Sequence, residues 1–436
     1  MKSPQNMESS QSATEENHEK PERTPNHYPM GALKAWFTVA GAFLLQLCAV
    51  GPVTSFGVFQ EFYTTTWLTK YSASDISWIG SVQLFLELGF GVVGGRLYDA
   101  GYCRATLLVG SVVFAFSFFM LSLVQEEQYY QAFLSQGIGM GIGLSLIFIP
   151  TCTLVSHHFK MYKALAMGIL VASAPLGGLI FSIMLNQLIH SDSGFQWGVR
   201  ASAFVVAGCL VIGNALISIP PQVSSTSIPR KTNSSGAHIQ DWPYLLTLLS
   251  GFMAQLGTYF PLFYVQLFAE NRNVSKTLTF YSLAIMNIAS IFGRVIPNYF
   301  ADRWGAINIF ILCVALNGLV GFAMLGCGTV SGLVLFCIFY GFFFGSTISL
   351  YLPVVTTLAP QQADMGKTMG VAIAPVGLAS LIGPPIVGAI LGNRLVWWRG
   401  ITFASLSLTS ASVIQLIARQ LHVKRSKLEH CSEKPA

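Results

Sequence analysis

Long apolar runs, each close to the length of a bilayer crossing, alternate with short polar turns along almost the whole chain. A helix needs roughly 20 predominantly apolar residues to cross the hydrocarbon core. Twelve such runs stand out, over about 35–60, 76–97, 104–124, 129–155, 162–188, 198–218, 243–269, 277–300, 306–327, 331–358, 367–391 and 398–420. They are continuous and rich in Leu, Phe, Ile and Gly, whereas transmembrane strands alternate apolar and polar positions over about ten residues. The pattern therefore predicts an all-α membrane protein. A polar interruption, Pro220 to Asp241 ("PPQVSSTSIPRKTNSSGAHIQD"), leaves six runs on either side of it and reads as a linker. Met1 to Pro29 is crowded with Ser, Glu, Asn and Pro and lacks the apolar core of a cleavable signal peptide, so it reads as a disordered tail. The expected organisation is a tail over 1–30, a six-helix half over 31–219, the linker over 220–241, a second half over 242–420 and a tail over 421–436.

Composition agrees: 53% of the 436 residues are hydrophobic, 10% are charged and the mean hydropathy is +0.58, against about 25% charged in soluble domains. Lysine and arginine beside membrane spans stay mostly cytoplasmic. With both termini and the linker on one side, Lys70, Arg200, Arg272, Lys276, Arg394 and Arg399 fall on the other, and the remaining 18 of the 24 basic residues share the side of the linker. That asymmetry predicts cytoplasmic termini in a multi-pass protein, with the plasma membrane as the expected setting. It also accounts for the net charge of +6 by insertion and contact with lipid rather than by binding nucleic acid. The cysteines, of which Cys48, Cys152, Cys209, Cys313, Cys327 and Cys337 fall in or beside spans, show no metal-ligand spacing and read as packing residues. Neither a cofactor nor a metal nor a catalytic group is expected.

The two halves look like copies. The turn after the second run, "GRLYDAGYCR" (Gly95 to Arg104), is answered by "NYFADRWGAI" (Asn298 to Ile307), with Asp99 and Asp302 203 residues apart. A similar offset joins "IPTCTL" (Ile149 to Leu154) to "LPVVTTL" (Leu352 to Leu358), and Pro175 is answered by Pro375. A duplicated set of six spans about a linker resembles the parallel repeat of major facilitator transporters. The superfamily's loop pattern, Gly, three residues, then Asp-Arg-x-Gly-Arg-Lys, is partly kept in each copy: Gly95, Asp99 and Arg104 in the first, Asp302, Arg303 and Gly305 in the second. With "GALKAW", "SFGVFQEFY", "SWIGSVQLFL", "LSQGIGMGIG" and "FGRVIPNYFADRWG", the chain resembles the fungal branch of the monocarboxylate porter family from Gly31 to Arg419. The resemblance implies the major facilitator fold, alternating access between two six-helix halves, a substrate carboxylate held by Arg294, and gating by Asp99 near Lys367. Thr54 stands where animal proton-coupled members carry a lysine, and Ser290 where they carry an aspartate.

Arg294 is an ionised group late in the eighth run, where charge is costly unless it faces a cavity or a partner. It reads either as a substrate group or as an anchor snorkelling to the surface. Asn287, seven residues earlier, projects from nearly the same face, which favours the first reading. Glu87, with Gln83 one turn before it, reads as a proton site or as a packed, hydrogen-bonded acid. Tyr259 and Tyr264 flank Pro261 and are candidates for lining a passage, with ordinary packing as the alternative. "GIGMGIG" (Gly137 to Gly143) lies inside an apolar run without a preceding strand, so it reads as close helix contact rather than a nucleotide loop. The gating candidates are Asp99, Arg104, Asp302 and Arg303. Together these features predict a secondary transporter of a small organic anion or carboxylated metabolite, with Glu87 and Gln83 as the candidates for coupling it to protons. Two alternatives stay open: an efflux transporter of a fungal secondary metabolite, and a non-transporting nutrient sensor on the same scaffold.

Overall fold

A computed structural model of the chain describes residues 32–158, 163–191, 194–219, 241–272, 274–358, 365–392 and 394–432. Among these the protein is helical throughout, and twelve helices are long and apolar enough to cross a membrane. Spans one to six are Leu33–Trp67, Ala73–Tyr98, Cys103–Leu121, Tyr129–Ser156, Ala166–Ile189 and Gly194–Leu216. Spans seven to twelve are Trp242–Asn271, Lys276–Ala301, Ala306–Gly326, Val330–Leu358, Val371–Leu391 and Trp397–Arg425. The expected runs and the observed spans coincide, because in lipid a continuous apolar run satisfies its backbone only as a helix. The expected tail over 1–30, together with Gly31, and most of the linker, 220–240, lie outside the described residues. The last helix runs on to Ser432, and Arg425 Nη1 meets Asp241 Oδ1 at 2.8 Å, tying it to the start of span seven.

Local sequence sets the ends. Ser72 and Asp75 form a reciprocal cap on span two, Asp75 N donating to Ser72 Oγ at 3.2 Å and Ser72 N to Asp75 Oδ2 at 3.0 Å. The turns that follow spans two and eight are built alike: Gly101 and Gly305 both sit at φ 86°, a conformation glycine adopts without a Cβ penalty. The halves share another internal likeness. Gln60 Nε2 donates to the carbonyl of Ala73 at 3.1 Å and Gln266 Nε2 to that of Thr279 at 3.2 Å, each glutamine pinning the end of its half's first span to the start of its second.

These first spans are both broken. In span one the regular helix stops at Thr54 and resumes at Phe56, just after Pro52, whose missing N–H removes a helical bond. Ser55 Oγ lies 2.9 Å from Gly51 O and 3.1 Å from Gly178 O of span five, so its one proton is shared between the two carbonyls and ties the break to span five. Span seven breaks at Tyr259, with Pro261 opening the second piece.

Close packing inside each half rests on small residues, as expected where lipid provides no hydrophobic drive for helices to associate. A Cβ on Gly143 would lie 2.6 Å from the Phe114 nitrogen, and one on Gly141 2.8 Å from Leu86 Cδ1, so the glycine run of span four seats spans two and three. Spans eight and ten meet in the same way: a Cβ on Gly293 would collide with the Phe342 carbonyl, and Ser346 Oγ donates to Gly293 O at 3.0 Å. Gly293→Val should therefore destabilise the protein by about 1–3 kcal/mol, the usual range for overpacking. Thermal unfolding in detergent checks this, with Gly328→Val as the control, since nothing lies within 4 Å of that position.

The two halves meet along spans one and seven, two and eleven, and five and eight. Three side-chain hydrogen bonds cross this seam at the membrane face away from the linker, here the distal face, while spans two and eleven stay close as far as Gly377, where a Cβ would stand 3.5 Å from Leu88 Cβ. At the distal face Tyr264 Oη donates to Ala73 O at 3.0 Å, Ser74 Oγ to Pro385 O at 2.8 Å and Asn186 Nδ2 to Phe280 O at 3.0 Å. Phe56 and Phe263 face each other with ring centroids 4.7 Å apart, and a Cβ on Gly57 would stand 2.5 Å from Leu262 O. Nearer the linker face, Arg294 also donates across the seam. The conformation is closed at the distal face.

Candidate transport site

Between the halves the seam gives way to a cluster of polar side chains set in apolar helices. From span eight, Arg294 does not run out to the linker surface. Its Nη1 donates across the seam to the carbonyl of Val171 in span five at 3.1 Å, and its Nε is buried with no partner among the described residues. Glu87 of span two is only 6% exposed, and its charge acts on Arg294 without a direct ion pair. The Tyr259 phenol, at the break in span seven, lies within the electrostatic reach of both. One group from the first half and two from the second thus lie close enough to act on one another.

The other candidates lie elsewhere around this cluster. Asn287 is 1% exposed and packed against span five, its Oδ1 2.5 Å from where a Cβ on Gly178 would sit, with Thr54 Oγ1 equally close. Gln83 is fully buried beside Gly141 of span four, and neither of its amide atoms has a hydrogen-bond partner among the described residues. Tyr264 belongs to the distal seam. Arg104 is exposed at the start of span three, and Arg303 lies over the Tyr299 ring at 4.8 Å with Nη2 donating to its hydroxyl at 2.6 Å. The side chains of Asp99, Asp302 and Lys367 lie outside the described residues, so the proposed gate contact does too.

Two glutamines that the sequence reading passed over complete the cluster. Gln46 Nε2 donates to Thr151 Oγ1 at 2.9 Å and to Cys152 Sγ at 3.2 Å, joining spans one and four beside Glu87. Gln255 Nε2 donates to Ser380 Oγ at 2.7 Å and is within hydrogen-bonding reach of Tyr259. A signal was present: each is a lone amide in an apolar run, "FLLQLC" and "GFMAQLG", and Gln255 stands one helical turn before Tyr259.

With chemistry of this kind between two six-helix halves, the molecule has the form of a secondary transporter. The Major Facilitator Superfamily matches residues 36–364, and the chain belongs to that superfamily; it is a transporter and not an enzyme. It is 36% identical over 375 residues to the aspyridones efflux protein of Emericella nidulans, covering 86% of this chain and 74% of that one. It is 35% identical over 388 residues to the agnestins efflux protein of Paecilomyces divaricatus, covering 88% and 87%. The fujikurins efflux protein of Gibberella fujikuroi is 32% identical over 404 residues, covering 91% and 85%. Among solved structures, a mutant of the peptide transporter POT in complex with sulfate superposes with a TM-score of 0.72 at 13% identity, covering 89% of this chain and 94% of that one, a likeness of fold. The superfamily and the twelve-span fold expected from the sequence are met. The relatives' names speak of efflux rather than of monocarboxylates, which favours the alternative reading of function over the first.

Proposed function

We propose that this chain exports a small organic metabolite, of the kind fungi make as secondary products, and that the cargo presents an acidic group to Arg294. The observation that carries the direction is the agreement among three relatives, each 32–36% identical over most of its length and each named for efflux. The geometry is in keeping with it: the distal seam is closed, and cargo would enter from the linker face. Arg294 uses one of its five donors on Val171 and leaves Nε without a partner, and a guanidinium matches a carboxylate or an acidic enol through paired donors. The deciding experiment compares metabolites in cells and medium with and without the protein. Export predicts a compound retained in the cells lacking it and depleted several-fold from their medium. A compound that instead disappears from the medium only when the protein is present marks an importer and ends this reading.

The same proposal places the linker and both termini in the cytoplasm of a plasma-membrane protein, on the strength of the basic residues that flank the linker face. Cysteines placed at Ser225 or Ser235, on a cysteine-free background, should react with an impermeant maleimide only after the cells are permeabilised. Ready labelling of intact cells inverts the topology and, with it, the direction assigned to loading.

A further inference from the structure

The distal seam holds a cluster of titratable groups that none of the foregoing uses. Glu61, in the last turns of span one, is only 7% exposed, with its Oε1 accepting from Thr65 Oγ1 at 3.3 Å. His190 Nε2, at the end of span five, stands 3.7 Å from Glu61 Oε2. Across the seam, the carboxyl of Glu270 at the end of span seven comes within hydrogen-bonding reach of Glu61. Among the described residues these are the titratable groups that act on Glu61, and no lysine or arginine is paired with it. Arg272, the basic residue nearest Glu270 in the sequence, lies over the Phe268 ring at 5.5 Å. The groups do not form a metal-ligand set.

Two carboxyls within hydrogen-bonding reach of each other repel unless a proton lies between them. They belong to opposite halves, so the repulsion acts on the seam itself. The histidine is oriented to serve the pair: its Nδ1 lies 3.0 Å from the Asn186 carbonyl, and an Nδ1–H donating there leaves Nε2 free to take a proton or pass one to Glu61.

We propose that Glu61 and Glu270, with His190 beside them, form a proton-binding site that latches the distal gate: a proton from the distal medium holds the two carboxyls together when the gate is shut and leaves when it opens. The proton enters and leaves at one face, so the site supplies no driving force. It sets the pH at which the gate opens, acid favouring the closed state because that state binds the extra proton. The inference rests on the alternating-access reading but on no particular cargo.

The test is a distance measurement on the full chain in lipid nanodiscs without cargo, by double electron–electron resonance between nitroxides at Thr66 and Thr277, exposed positions on opposite halves. Over a series from about pH 5 to about pH 8, the closed-to-open ratio should fall as pH rises. One linked proton allows at most about a tenfold change per pH unit. Glu61→Gln and Glu270→Gln should each flatten this dependence; Glu270 is exposed, so its variant serves even if the buried one folds poorly. Gly57→Leu, which wedges the seam at Leu262, shows what an opened gate looks like. A ratio indifferent to pH while Gly57→Leu moves the distance overturns the latch and leaves alternating access standing, as does a full pH dependence in Glu270→Gln. If neither pH nor Gly57→Leu moves the distance, alternating access fails as well.

Discussion

Arg294→Lys should lose most transport, on the order of ten- to a hundredfold, while the protein still folds and reaches its membrane. A hydrogen bond to a charged group contributes about 1.5–3 kcal/mol, and each 1.4 kcal/mol is a factor of ten in binding. Lysine keeps the charge but replaces a planar fork by a compact ammonium on a flexible stem. It cannot both donate to the Val171 carbonyl, as Arg294 Nη1 does at 3.1 Å, and offer paired donors to a cargo. Efflux of the compound identified by metabolite profiling, normalised to surface protein, is the measurement. A membrane anchor would tolerate the exchange, because snorkelling needs only a long stem and a charge; normal efflux by the lysine variant would therefore return Arg294 to that role.

What the sequence made legible followed from local physics, and what it hid was contact between distant parts. The twelve spans could be read because a helix in lipid must be apolar over its length. The duplication could be read because Asp99 and Asp302, or Pro175 and Pro375, repeat at one offset. Arg294 and Glu87 were visible as charges in apolar runs. Nothing local, however, places Glu87 of span two within electrostatic reach of Arg294 in span eight, nor sends the Tyr264 hydroxyl to the Ala73 carbonyl instead of into a passage. Those placements depend on how the halves meet. Glu61 and Glu270 were hidden for another reason. Each stands at a membrane boundary, where a lone charge is ordinary, and only the closed seam brings the two carboxyls together. The glutamines at 46 and 255 were readable in principle, since a lone amide in an apolar helix needs a partner.

Glu87→Gln should abolish the pH dependence of transport and spare exchange of cargo across the membrane. Glutamine has the shape of a protonated glutamic acid but does not titrate, so it freezes the site in one of its two states. The direction of coupling follows from the charges on the page. Glu87 and the Tyr259 phenol both act on Arg294, and a cargo carboxylate seated on that arginine stands beside a second carboxylate unless Glu87 carries a proton. Anion and proton therefore favour each other's binding, and by reciprocity they travel together. An acidic cargo then leaves as an electroneutral pair with its proton, driven by its own gradient and opposed by acid outside. Proteoliposomes loaded with the compound found by profiling should release it more slowly as the outer pH is lowered, and the glutamine variant should release it at a rate indifferent to outer pH while still exchanging labelled for unlabelled cargo. Wild-type release that quickens in outer acid would instead mean that proton and cargo exclude one another at this site, which an anion seated on Arg294 does not permit. Full pH dependence in Glu87→Gln would leave the carboxyl as a packing group and move the proton to another residue.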